Sequence, residues 1–300
     1  MSDFRQIFRG ARRKTALTFS LLFVLIHVIC HAGSIRDVSQ SVEKVLSIEP
    51  PIQFAILGDS RDGKKTYAQL LQKILGRKPH FIIHLGDMVS RPSEEEWKEF
   101  FEISEAIDIP FFPAIGNHEV ADTSRGEGIY RKQFHLPGDK TYYSFRAADT
   151  LFVILDSEKG RGQILEEQWM WLEETLSPSK EKFKLTFLHR PLFLPTDSFK
   201  LGKVMDKYPF ARDNLHGFFK RTKVKAVFAG DDHRYYRMEN DQILYIITGG
   251  GGAPIYAPKD RGGYFHCVWV SLQKRGLEGE VVDLKGQVRD RFKIKWDERR

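Results

Sequence analysis

The chain has very little cysteine. Cys30 and Cys267 are the only two in 300 residues, and the first lies in a leader-like segment, so no disulfide framework is available to hold a fold together. A nucleic-acid-binding stripe is also missing, despite a sequence pI of 9.2. Removing the N-terminal leader takes away five basic residues and one acidic residue, which lowers the formal charge from +7 to +3. Such a mildly basic body shows no electrostatic footprint for a polyanion. The glycine run Gly249–Gly252 lacks the Lys-Ser/Thr pair and the following helix that a phosphate loop needs, so a tight backbone crossing is the expected role. No internal repeat or low-complexity tract is present, which excludes a solenoid or a disordered array. What remains is an apolar share of 41%, ample for a hydrophobic core, and a length that suits one large domain.

The first fourteen residues carry Arg5, Arg9, Arg12, Arg13 and Lys14 against Asp3, and an apolar stretch follows from Ala16 to Cys30. This is the order of a signal peptide, a positive segment before a short apolar one, with Cys30-His31-Ala32-Gly33 offering small residues at a cleavage site. The stretch is short for a membrane span and includes His27. The expectation is an exported protein, periplasmic or extracellular. Were the leader retained, residues 16–32 would anchor it to a membrane facing outward. Residues 1–32 are thus leader, residues 33–51, ending in Pro50-Pro51, a linker, and residues 52–300 the folded domain.

Within that domain, buried-strand runs end repeatedly in small polar tips. Ile52–Leu57 stops at Gly58-Asp59-Ser60-Arg61, Phe81–Leu85 at Gly86-Asp87, and Ile109–Ile115 at Gly116-Asn117-His118-Glu119. Helical spacing of apolar residues lies between them, as at Leu70, Leu71 and Ile74. Later runs repeat the arrangement: Leu151–Leu155 ends in Asp156-Ser157, Phe183–Leu188 in His189-Arg190, and Val224–Phe228 precedes Gly230-Asp231-Asp232-His233. Strands alternating with helices place such tips along one sheet edge. Short strands then dominate to the C-terminus, so the expected fold is a four-layer α/β/β/α sandwich, two mixed sheets back to back with helices outside.

The tips collect Asp59, Asp87, Asn117, His189, Asp231 and His233. These are oxygen and imidazole donors with no thiolate, suited to hard or borderline divalent ions and, in this number, to a two-metal site for phosphoryl chemistry. The ordered motifs resemble those of the calcineurin-like metallophosphoesterase superfamily, G-D-x-H, G-D, G-N-H-[DE], a lone histidine and G-H-x-H, over about residues 52–270. Leu136-Pro137, Tyr142–Phe145, Leu155-Asp156-Ser157 and Gln168–Leu172 are similar to its branch of purple-acid-phosphatase-like and bacterial phosphoesterases. The resemblance implies two divalent metals, drawn from manganese, iron, zinc or magnesium. Asp59 and His233 would hold the first, Asp87 would bridge, and Asn117 and His189 would hold the second. A metal-bound hydroxide would attack phosphorus in a phosphoester substrate, with His118 as proton donor to the leaving group, steered by Glu119.

Two positions depart from that pattern. Arg61 replaces the histidine of the first motif and Asp231 the first histidine of the last. Arginine stays protonated and cannot ligate a metal. Asp231 puts an oxygen where a nitrogen is usual, which favours manganese, iron or magnesium. Arg61 is then free for a bidentate contact with substrate phosphate or with Asp231, the former preferred, and Arg190, next to a ligand, could also reach substrate. Two readings stand at this point: a metal-dependent phosphoesterase, or a catalytically degenerate relative that serves as a binding or scaffold module.

Overall fold

The computed structural model describes residues 35–121 and 123–295; the leader expected over residues 1–32 lies outside them. Among the described residues no helix is long and apolar enough to cross a membrane. The first described helix, α1 (Val38–Val45), falls inside the stretch expected to be a linker. It instead packs on the domain: Val38 and Val45 are fully buried, and Asp37 bridges to the strand-like backbone at His135. The valines at 38, 42 and 45 form one helical face, a spacing hidden by the polar residues between them.

One sheet holds β1 (Ile52–Leu57), β2 (Phe81–His84), β3 (Phe111–Pro113), β10 (His266–Gln273), β11 (Gly276–Asp283) and β12 (Val288–Lys295), ordered β12-β11-β10-β1-β2-β3. The other holds β4 (Tyr143–Ala147), β5 (Thr150–Ile154), β6 (Phe183–Leu188), β7 (Ala226–Ala229), β8 (Tyr235–Asn240) and β9 (Ile243–Thr248), ordered β4-β5-β6-β7-β9-β8. Both are mixed. β1 pairs parallel with β2 but antiparallel with β10, whereas β5, β6, β7 and β9 run parallel with antiparallel edges.

Alternation along each central strand builds two cores. On β5, Phe152 and Ile154 face the other sheet while Leu151 and Val153 join the outer cluster under α5 (Glu166–Leu176) and α6 (Pro209–Arg221). The period-two geometry of a strand makes an uninterrupted apolar run pack on both faces. Between the sheets the packing is aromatic. Phe54 and Phe81 stack at 4.9 Å, Phe112 and Phe145 at 3.8 Å, and Phe187 and Phe228 at 5.2 Å, each buried ring contributing about 1.5–3 kcal/mol of transfer free energy. The first sheet is covered by α2 (Lys64–Gly76), α3 (Glu94–Ile103) and α4 (Thr123–Gln133). Trp97, Tyr130 and Phe134 are buried there. Cys267 is buried among apolar neighbours, which pushes its thiol up to about 12 and leaves it inert.

His266, at the start of β10, is fully buried between Thr248 Oγ1 at 3.1 Å and the carbonyl of Tyr264 at 2.8 Å. Burial lowers its pKa from 6.5 to about 4. The unfolded chain therefore takes up a proton near pH 6.5 that the folded chain refuses until about pH 4, so stability falls as pH drops through that window. The contribution approaches about 3 kcal/mol at its lower end. Urea unfolding measured between pH 7 and 4 should show this slope, and a His266→Asn variant should lose about one proton's worth of it. An unchanged slope would place the acid sensitivity elsewhere.

Candidate metal centre

The three aspartates reach the centre by the same backbone device. Asp59, Asp87 and Asp231 all have left-handed backbones, with φ of 60°, 56° and 63°. Few residues other than glycine tolerate this conformation, aspartate among them, and it costs roughly 1–2 kcal/mol. These turns, just past strand ends, bring the carboxylates of Asp59 and Asp87 to His233 and that of Asp231 to His189. Strain of this kind persists where the surroundings enforce it. The preceding glycines are required by close approach: a Cβ on Gly86, whose own φ is +91°, would meet Gly116 N at 2.7 Å, and one on Gly230 would meet Asp59 Oδ2 at 2.6 Å. The Gly249–Gly252 run crosses here as expected. Gly251 N donates to Gly58 O at 2.9 Å, and a Cβ on Gly251 would strike that carbonyl at 2.3 Å.

Three histidines are oriented by one rule. His189 Nδ1 donates to Leu85 O at 2.8 Å, His233 Nδ1 to Pro254 O at 2.7 Å, and His118 Nδ1 to Ser90 O at 2.8 Å. A carbonyl only accepts, so each Nδ1 carries a hydrogen and each Nε2 is turned inward. His189 Nε2 lies 3.0 Å from Asn117 Oδ1, 3.3 Å from Asp87 Oδ1 and 3.7 Å from Asp231 Oδ1. His233 Nε2 lies 3.4 Å from Asp59 Oδ1 but off the direction of a hydrogen bond, and is buried without a partner, as is Asp231 Oδ2. Asp59, Asp87 and His233 can bring one donor atom each within 4.8 Å of the others. Orphaned, inward-facing nitrogen and oxygen donors suit a divalent cation.

Burial disfavours a charged His189, but Asp87, Asp59, Asp231 and Glu158 outweigh it and hold its pKa up to about 9. Burial likewise opposes the Asp87 charge, and His189, His118 and Arg61 overcome it, lowering its pKa. Burial and the nearby Asp87 carboxylate push Glu119 up to about 7.

Glu119 does not steer His118 as expected. It is fully buried and accepts backbone N–H groups from Asp87 at 2.8 Å, Met88 at 2.7 Å, Val89 at 3.2 Å and Gly116 at 2.7 Å. It therefore fixes the two loops that carry Asp87 and Asn117, while the His118 ring is set by Ser90. Arg190 is engaged within the protein. Its guanidinium grips Glu158, with Nε at 2.8 Å and Nη2 at 2.7 Å from Oε2, and its Nη1 donates to Lys203 O at 3.2 Å. Arg61 reaches neither Asp231 nor open space alone: its Nε lies 3.3 Å from Asp87 Oδ2, and Nη1 pairs with Asp62.

The partner of Asp231 was not legible in the sequence. Lys200 Nζ pairs with Asp231 Oδ1, delivered by the loop between β6 and α6. The loop is held by Ser198 Oγ donating to Asp232 Oδ2 at 2.7 Å and by Asp197, which pairs with Arg234 and Arg261 at 3.0 Å each. No motif marks Lys200. The only available signal was a new carboxylate, Asp231, in need of a cation.

A sandwich of two mixed sheets whose strand tips gather aspartate, asparagine and histidine defines an α/β protein with a candidate metal centre. Residues 52–235, more than half the chain, match the family model described as calcineurin-like phosphoesterase, and the chain belongs to that family. It is 32% identical over 212 residues to a zebrafish (Danio rerio) protein named serine/threonine-protein phosphatase CPPED1, covering 64% of this chain and 65% of that one. It is 27% identical over 224 residues to the 3',5'-cyclic adenosine monophosphate phosphodiesterase CpdA of Haemophilus influenzae, covering 71% and 78%. Among solved structures it resembles the purple acid phosphatase PPD1 of yellow lupin (Lupinus luteus) with a TM-score of 0.70, at 20% identity, over 83% of this chain and 54% of that one. The chain thus spans less than two thirds of the length of several relatives, including 48% of a Glycine max purple acid phosphatase.

Proposed function

We propose that the protein is an exported, divalent-metal-dependent phosphoester hydrolase. The observation that carries this reading is the set of three histidines whose Nδ1 atoms are tied to backbone carbonyls, leaving three Nε2 atoms turned toward the aspartate carboxylates. Asp59, Asp87 and His233 would hold one ion, and Asp87 with Asn117, His189 and Asp231 forms a second set of donors. A bound divalent ion supplies Lewis acidity toward a phosphoryl oxygen and lowers the pKa of water.

The chain's own groups do the rest. His118, with its side chain 28% exposed and Nε2 3.8 Å from Asp87 Oδ2, stands at the edge of the centre, where the ring protonated on both nitrogens can give its Nε2 proton to a departing alkoxide. Asp87 Oδ1 accepts His118 N at 3.0 Å, so the proton donor and the shared carboxylate move as one unit. Arg61 keeps donors beyond those used on Asp87 and Asp62 and lines the adjacent pocket with Ser60 and Ser90, in position to meet a phosphate oxygen. The relatives' names, both phosphatase and phosphodiesterase, support phosphoesters as the substrate class.

A binding module without metal has one observation behind it: Arg61 and Lys200 pair with carboxylates the metals would use. The orphaned His233 Nε2 counts against it. Metal analysis of the purified chain, followed by hydrolysis of p-nitrophenyl phosphate and its bis ester with added manganese, decides between them. Absence of both bound metal and turnover with any divalent ion would overturn the hydrolase. His118→Ala should retain its metal and slow the p-nitrophenyl esters about 10²-fold, near the lower end of general-acid effects because p-nitrophenolate leaves readily. An alkyl phosphate, whose leaving group needs the proton, should suffer more. Equal losses on both esters would remove the proton donor role.

A further inference from the structure

Lys200 sits where the second half of the centre would be completed. Its ammonium pairs with Asp231 Oδ1, the oxygen that also lies 3.7 Å from His189 Nε2. The placement is built into the fold. Ser198 Oγ, itself bonded to buried Asp232, accepts Lys200 N at 3.1 Å, and Asp197 pins the same loop to Arg234 and Arg261. The Lys200 side chain is 18% exposed and that of Asp231 is 1%. Arg61 makes the equivalent contact on the other side, its Nε on Asp87 Oδ2.

Charge decides what these cations mean. A buried carboxylate without a partner is costly, and Asp231 has acquired one from a loop that a neutral imidazole would not have attracted. Asp59, Asp62, Asp87 and Asp231 against Arg61, Lys200 and one divalent ion balance to zero. A second divalent ion would leave two positive charges, and would bond Asp231 at roughly 2 Å while repelling an ammonium on the same oxygen.

We propose that this centre holds one divalent ion, on Asp59, Asp87 and His233, and that Lys200 takes the place of the second on Asp231 as a fixed organic cation. The inference rests on the metal-dependent reading above. Its chemical content is that Lys200, with N–H donors beyond the one on Asp231, holds a phosphoryl oxygen by hydrogen bonding, a contact with charge but without Lewis acidity.

The test is a Mn²⁺ titration of the purified full chain after chelator treatment. Metal analysis of gel-filtered protein gives the stoichiometry, and electron paramagnetic resonance separates an isolated Mn²⁺ from a coupled pair. Wild type should take one equivalent with the isolated signal, and Lys200→Met should take two with a coupled signal. Because Lys200→Met leaves Asp231 unpaired and could destabilise the fold, the double variant Lys200→Met/Asp231→His removes both charges together and should also take two. Two equivalents on wild type would overturn the inference while leaving the hydrolase reading intact, as would one equivalent on both variants. No uptake by wild type or either variant would overturn both.

Discussion

Asp87→Asn is expected to abolish metal binding and to lower phosphoester hydrolysis about 10³-fold, equivalent to roughly 4 kcal/mol of transition-state stabilisation. Asp87 touches every part of the centre. Its Oδ1 accepts His118 N at 3.0 Å and lies 3.3 Å from His189 Nε2, and its Oδ2 lies 3.3 Å from Arg61 Nε and 3.8 Å from His118 Nε2. Asparagine keeps the shape and tolerates the left-handed backbone, so the loss isolates the charge. That separates it from His118→Ala, where metal should stay. The measurement is metal content beside turnover of bis-p-nitrophenyl phosphate, with circular dichroism to verify folding. Full metal retention in Asp87→Asn would show that Asp87 is not shared between the donor sets, and loss of metal in both variants would mean His118 supports ligands rather than protons.

The gathering of Asp59, Asp87, Asn117, His189, Asp231 and His233 was legible because each follows a buried apolar run, and strand polarity alone carries such tips to one edge. The two-sheet architecture was legible for the same reason. What escaped were interactions set by long-range packing. Glu119 lies one residue from His118 in sequence, yet its carboxylate turns back to amides about 30 residues away. Arg190 follows a candidate ligand, and its guanidinium pairs with Glu158. Lys200 sits in a loop with no periodicity, brought to Asp231 by the Ser198 hydrogen bond to Asp232 and by the Arg234 and Arg261 pairs on Asp197, which no spacing rule anticipates. The α1 helix carries three valines, too few to outweigh a polar average, although tertiary burial decides such short helices.

Glu119→Ala is expected to destabilise the fold by about 3–5 kcal/mol, since each buried N–H left without an acceptor costs about 1–3 kcal/mol and the carboxylate's own burial penalty is recovered in part. Four amides lose their acceptor at once, those of Asp87, Met88, Val89 and Gly116. In a domain of this size the melting temperature should fall by roughly 6–10 °C. Glu119→Gln provides the discriminating comparison. A single amide oxygen can serve only one side of the fork, and the NH₂ then opposes the donors on the other, so this variant should lie between alanine and wild type. Metal affinity measured below either melting transition should drop about 10–100-fold, as it does when a group orienting a ligand is removed, because the Asp87 and Asn117 loops are no longer clamped together. A side chain acting on His118 instead would leave stability and metal affinity unchanged and reshape only the pH–rate profile. An Ala variant within about 0.5 kcal/mol of wild type by urea unfolding, a change typical of an ordinary surface substitution, would therefore return Glu119 to the role first expected of it.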